Sequence, residues 1–159
     1  MTIRIEATRL IPGRGEPVDN GVVVDSRLRT SDPRIWAAGD IARYPGPGGD
    51  PTRTEHWFVA ERQGQTAAAN ILGHDLAYTQ PPFFWSRHYD VRINLTGHLP
   101  GWDEEVVVGD LAANDALVAF KRGSTIQAVA TIGRDRESLR AEHALAIGNQ
   151  SVLEALASG

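Results

Sequence analysis

The sequence predicts an α/β segment followed by a small α+β domain, the latter an antiparallel meander with a C-terminal helix. Three observations predict it. Gly21 to Asp25 (GVVVD) and Ile35 to Ala38 (IWAA) are short apolar runs of the kind that form buried strands. A helix pattern with a face of small residues follows them, from about Glu55 to Leu72. After the break at Pro81-Pro82 the pattern changes to short β-rich runs separated by turns, closed by a helical stretch. The expected domains are residues 1–79 and 80–159.

Each element has a local reason. Residues 3–11 mix β-branched and charged residues and could form a strand. An Asn-Gly turn at Asn20 and Gly21 opens the GVVVD strand. Arg27 to Thr30 is a candidate second strand, ended by the turn residues Ser31-Asp32-Pro33. Ile35 to Ala38 has the character of a buried parallel strand whose C-terminal end opens into a site at Gly39-Asp40. Thr54 is the expected helix cap, Ala60, Gly64, Ala67, Ala68 and Ile71 form the small face, and Gly73 is the stop. In the second domain the candidate strands are 91–95, 105–108, 116–120 and 125–130. Arg136 to Ile147 reads as a helix stopped by Gly148, and Ser151 to Ala157 as a further helical turn.

Composition narrows the possible functions. The formal net charge of the 159-residue chain is −4, with no run of Lys or Arg, so there is no electrostatic footprint for nucleic acid or for an acidic membrane surface. No apolar stretch approaches the ~18–20 residues needed to span a bilayer. The N-terminus lacks an apolar signal core, so a cytoplasmic location is expected. There are no cysteines, which excludes disulfides, thiolate metal sites and an intrinsic redox dithiol. His56, His74, His88, His98 and His143 show no metal-ligand spacing, and no metal is expected.

Three local features carry chemistry. The run from Thr30 to Asp40 (TSDPRIWAAGD) ends on a carboxylate just after a glycine. Gly39 lets a ligand approach the backbone, and Asp40 can accept hydrogen bonds from ligand hydroxyls; the alternative is an ordinary turn aspartate. Arg53-Thr54-Glu55-His56-Trp57 stands at the start of a helix, where free N–H groups and the dipole favour negative charge. The alternative there is that Glu55 complements the dipole and Trp57 packs. Finally, Pro82-Phe83-Phe84-Trp85-Ser86 with Tyr89-Asp90 could wall a planar cofactor or simply form core.

In this order and spacing the three features resemble the FAD-dependent NAD(P)H ferredoxin reductases, including the putidaredoxin-reductase type, and the related apoptosis-inducing-factor-like oxidoreductases. The resemblance rests on Val22 to Asp25, Leu28 to Asp40, Arg53 to Trp57, Gln63 to Ala68, Pro82 to Ser86 and Tyr89-Asp90, and covers roughly residues 17–148. It identifies the first domain as the C-terminal part of an FAD-binding domain and the second as the reductase C-terminal, dimerisation-like domain. It implies that Gly39 and Asp40 hold the ribityl-phosphate part of FAD. It places Glu55, His56 and Trp57 at the pyrimidine edge of the flavin ring, and Trp85 near that ring. The implied reaction passes hydride from NAD(P)H to FAD and then single electrons to a ferredoxin-type iron–sulfur protein.

Three departures stand beside this, one being that residues 1–16 do not match what precedes the family's VVVD strand. The family carries two G-x-G-x-x-G fingerprints, and this sequence has neither: Gly13-Arg14-Gly15 and Gly46-Pro47-Gly48-Gly49 both lack the third glycine. Arg87-His88 replaces the acidic or amide pair common after F-W-S. The expectation is therefore a partial FAD site, with NAD(P)H used only in the complete enzyme and no activity from this chain alone. A non-catalytic homodimerisation or partner-docking module without flavin is the competing reading. A split enzyme, with a complementing chain supplying the dinucleotide-binding parts, is the third.

Overall fold

The structure is a computed structural model that describes residues 20–46 and 49–159. The expected strand over residues 3–11 lies outside the described residues. These divide between Thr79 and Gln80 into two compact units.

In the first unit, strand β1 (Val22–Val23) pairs in parallel with β2 (Ala42–Pro45), which pairs antiparallel with β3 (Pro51–Thr52). Helix α1 runs from Trp57 to Ile71. Its buried stripe is Val59, Gln63 and Ala67, an i, i+4, i+8 series that packs into a core with Val22, Val24, Leu28, Ala42, Tyr44 and Tyr78. Of the expected small face, Ala67 is buried, whereas Ile71 is 61% exposed. Asn70 closes the helix end. Its amide donates to the carbonyls of Arg27 and Leu76 at 2.9 and 2.8 Å, and its Oδ1 accepts from Leu76 N–H. Gly73 follows in the left-handed conformation (φ 90°), as a helix stop requires.

Two expected strands of this unit do not form. The Asp25 carboxylate accepts from the amides of Arg27 and Arg29 at 2.9 and 3.0 Å, and Leu28 takes a left-handed conformation (φ 63°). The segment after Asp25 is therefore a side-chain-held turn, and only Arg29 makes a bridge, to Trp36. Residues 35–38 are extended but form no parallel strand. Thr30 N–H donates to Ile35 C=O and Ala37 N–H to Leu28 C=O, which is antiparallel pairing. The parallel partner of the GVVV strand is β2, which starts just after Asp40. Asp40 thus sits in a 3₁₀ turn (Gly39–Ile41) ahead of a strand, not at the C-terminal end of one.

In the second unit, strands β4 (Phe83–His88), β5 (Val91–Gly97), β6 (Glu104–Asp110), β7 (Asp115–Arg122) and β8 (Thr125–Ile132) form an antiparallel sheet. The spatial order is β4-β5-β8-β7-β6. β6, β7 and β8 form the expected meander, but β5 pairs with β8 rather than β6. The connection from Gly97 to Glu104 makes this possible. Six residues reach about 20 Å, more than the roughly 14 Å of three strand spacings. β8 gains partners on both edges, which suits the most deeply buried strand of the sheet. β4 is an added strand, hidden in the sequence as an aromatic cluster.

Helices α2 (Asp135–Ala146) and α3 (Gln150–Ala157) pack on the sheet around Leu117, Ala119, Ile126, Val129, Leu153 and Leu156. Asn149 caps α3 by accepting from Val152 N–H. The Gln150 amide both accepts from and donates to the backbone of Ile126, at 3.0 and 3.1 Å. Gly97, with φ 99°, is required by close approach: a Cβ there would lie 2.2 Å from the Gln127 carbonyl oxygen.

Leu153 is fully buried between α3 and the sheet. Leu153→Ala should cost about 2–5 kcal/mol, read from chemical denaturation. A pH dependence follows from Asp115, whose carboxyl Arg134 holds below the usual carboxylate range, chiefly by a direct hydrogen bond. Because the folded value is depressed, the pair's contribution is present above the ordinary aspartate range and is lost as pH falls through the lowered value. The contribution is small, since Asp115 is largely exposed. Asp115→Asn should lower the melting temperature slightly near neutrality, and the difference from the native chain should vanish as pH falls through the lowered value, flattening the acid side of the profile.

Candidate flavin-binding turn and helix entry

The turn at Gly39 is built against helix α1. Gly39 is buried with φ +77°, and a Cβ on it would lie 3.1 Å from the Ala60 Cβ. That approach removes the Gly39 N–H from water, so it needs an internal acceptor. Gln63 supplies one: its Oε1, on the fully buried side chain, accepts the Gly39 N–H at 2.8 Å. Among the described residues Gln63 Nε2 finds no partner. The other side of the turn is braced by Arg53. Its guanidinium donates to the Asp40 carbonyl at 2.9 Å and pairs with the Glu55 carboxylate.

The backbone of the turn is thus held at both ends while the Asp40 side chain is exposed, with no hydrogen bond or ion pair among the described residues. A carboxylate with a fixed base and free oxygens suits the capture of ligand hydroxyls, and in this respect the residues fit a ribityl chain. Glu55 and His56 lie on the same braced segment, which leads directly into α1.

The cap of α1 is His56, not Thr54. His56 Nδ1 accepts from Phe58 N–H at 3.3 Å, so that nitrogen carries no proton in this arrangement. Thr54 is engaged elsewhere, with its hydroxyl 3.1 Å from the Tyr44 phenol. Burial pushes the Tyr44 phenol up, opposed in part by the Thr54 hydrogen bond. One of the helix's free N–H groups is therefore already used by its own cap. Trp57 is 58% exposed. Its ring lies 5.9 Å from the His56 ring and 5.7 Å, edge-on, from Phe58. Arg62 sits over Phe58 at 3.9 Å.

In the second unit, strand alternation splits the aromatic cluster. Phe83 is buried, Phe84 exposed and Trp85 half-buried. Trp85 is paired with Asn94 of β5, and the Arg92 guanidinium lies over its ring, 5.3 Å from the centroid. The structure therefore brings Gly39, Asp40, Glu55, His56 and Trp57 together in one unit, and Trp85 belongs to the other. Among the described residues no cluster of His, Asp or Glu could hold a metal. Sequence reading did not identify Gln63 and Arg53 as the supports of the turn. The available signal was a glutamine on the buried face of an otherwise apolar and small-residue stripe.

Residues 7–64 match the family described as "Pyridine nucleotide-disulphide oxidoreductase", and residues 83–158 match "Reductase C-terminal". The two matches together span most of the chain, which in this combination is similar to the ferredoxin reductases that carry this C-terminal domain. These matches extend past both ends of the 17–148 resemblance, and residues 7–16 match the family, which corrects the expected mismatch over residues 1–16. The chain is 38% identical, over 87% of its length, to the ferredoxin–NAD(+) reductase component of an anthranilate 1,2-dioxygenase system from Burkholderia cepacia. It is 35% identical, over 80% of its length, to putidaredoxin reductase of Pseudomonas putida. It covers 35% and 31% of those two proteins, so it spans about a third of the length of the curated relatives it matches.

Among solved structures, a ferredoxin reductase from Rhodopseudomonas palustris superposes with a TM-score of 0.79 at 27% identity, over 84% of this chain and 33% of that one. The reductase in a covalent putidaredoxin reductase–putidaredoxin complex gives 0.77 at 29% identity, over 91% and 38%.

The Gln63 bond is open to test. Gln63→Leu leaves the Gly39 N–H buried without an acceptor and should cost about 1–3 kcal/mol. Denaturation of the chain measures the loss, and faster amide exchange at Gly39 locates it.

Proposed function

We propose that this chain supplies the ribityl- and ring-side residues of an FAD site, together with the C-terminal domain, of a ferredoxin reductase. In that enzyme electrons pass from NAD(P)H through FAD to a ferredoxin-type iron–sulfur protein. The observation that carries this reading is the Gly39-Asp40 turn, braced by Gln63 and Arg53 while the Asp40 carboxylate is left free. The relatives' names support the acceptor class: one is a ferredoxin–NAD(+) reductase component, and another is crystallised with putidaredoxin.

Each residue has a role within this chain. Asp40 accepts from ribityl hydroxyls. Gln63 and Arg53 are positioning residues that hold the turn against α1. Glu55, His56 and Trp57 present the helix entry, and Trp85 is a flavin-facing aromatic. When bound, FAD supplies two-electron reduction and one-electron release. Neither G-x-G-x-x-G fingerprint occurs in these 159 residues, so the phosphate-anchoring contacts, a large share of dinucleotide affinity, come from elsewhere. We place the protein in the cytoplasm. Among the described residues no helix is long and apolar enough to cross a membrane, and the sequence contains no cysteine.

The purified chain alone should therefore not oxidise NADH or NADPH. Rates above the buffer control, with ferricyanide or putidaredoxin as acceptor, would overturn the expectation. Joined to the dinucleotide-binding portion of the Burkholderia relative, it should retain flavin. Asp40→Ala in that chimera should weaken flavin retention about 10- to 100-fold, as loss of hydrogen bonds to a charged group implies. Unchanged flavin content, measured by absorbance, would remove Asp40 from the site.

A further inference from the structure

Trp85 belongs to a polar arrangement that the proposed function leaves unused. Asn94, opposite it on β5, is 3% exposed, and each end of its amide makes a hydrogen bond. Nδ2 donates to Asp135 Oδ1 at 2.9 Å, in the first turn of α2. Oδ1 accepts from Arg92 Nε at 3.1 Å. Arg92 lies two residues before Asn94 on the same face of β5, diagonal to Trp85, and its guanidinium lies over the indole. A chain of three contacts thus runs from the helix terminus to the ring: Asp135 to Asn94, Asn94 to Arg92, Arg92 to Trp85.

Two features argue that the chain is more than incidental surface pairing. Arg92 stands directly opposite Arg87 in the β4–β5 ladder, and like charges in that relation repel. A long side chain free to move would swing away from Arg87 into solvent. The amide of Asn94 holds it instead, because Nε is committed to a buried acceptor. A buried asparagine is also costly unless both ends of its amide are satisfied, and here each end is satisfied by one member of the chain.

We infer that Arg92 is a positioning residue for Trp85, holding the indole in one orientation through Asn94 and Asp135. The inference rests on the proposed reading of Trp85 as a flavin-facing residue, and deepens it by naming what sets the ring's pose. A flat cofactor stacks on an aromatic side chain at lower entropic cost when that ring is pre-set, and a cation over the indole restricts its rotation.

The test uses the full, flavin-free chain labelled with 5-fluorotryptophan. Its four tryptophans give four fluorine resonances, and Trp85→Phe assigns the relevant one. Arg92→Gln should shift and broaden the Trp85 resonance while Trp36, Trp57 and Trp102 stay in place. Arg92→Lys, which keeps a cation, should restore part of the native shift, and Asn94→Ala should reproduce the Gln variant. An unmoved Trp85 resonance in Arg92→Gln overturns the inference. So does a change in all four resonances together, which would show a general structural role. If Asn94→Ala does not fold, Arg92→Gln decides alone. Failure of the chimera to bind flavin would defeat the proposed function and leave this readout intact.

Discussion

The first unit depends on one hydrogen bond, from the Gly39 N–H to the Gln63 side chain. The turn must come close to α1, and only glycine tolerates both the left-handed backbone and the 3.1 Å approach to Ala60. The same approach dries the Gly39 amide, which then needs a partner from the helix itself. Gln63 is held in place by Val59 and Ala67, one helical turn to either side. The turn thereby inherits the rigidity of the helix, and Asp40, one residue on, inherits it from the turn. Arg53 extends the frame to Glu55 and the helix entry.

The second unit repeats the device with different residues. Asn94 ties the sheet to α2 through Asp135, and Gln150 ties the start of β8 to α3 by bonding both backbone groups of Ile126. Asn70 does the same at the end of α1. In each case a side-chain amide, which offers donor and acceptor together, stitches a helix to a neighbouring segment, through backbone groups for Gln150 and Asn70 and through side chains for Asn94. Apolar packing gathers the elements, and the amides set their register.

How much of this was legible depended on the range of the interaction. Helices α1, α2 and α3, and strands β5 to β8, follow from periodicity and from glycine stops at Gly73 and Gly148, all local signals. Pairing was less accessible. IWAA has the composition of a parallel strand, but its partner is set by the Asp25-held turn before it. The attachment of β5 to β8 depends on a connection that passes over two strands. Local competition also misled: Thr54 is a good cap by residue type, yet Tyr44 claims its hydroxyl and His56 caps instead. In the candidate site, Asp40 and the Glu55–Trp57 entry were visible as motifs in order. The Gln63 and Arg53 supports were not, because each acts across more than a dozen residues of sequence.

The strand order of the second unit leaves β4 and β6 as its two outer strands, and their side chains bear on how copies of the protein behave when crowded. β6 has three consecutive valines, Val106 to Val108, a sequence well suited to recruiting a further strand. It is bracketed by Glu104 and Glu105 on one side and Asp110 on the other. β4 ends on Arg87 and His88. An approaching β6 edge from another copy would meet like charge at both ends of the valine run, so the cross-β association that such a segment invites is opposed by electrostatic repulsion.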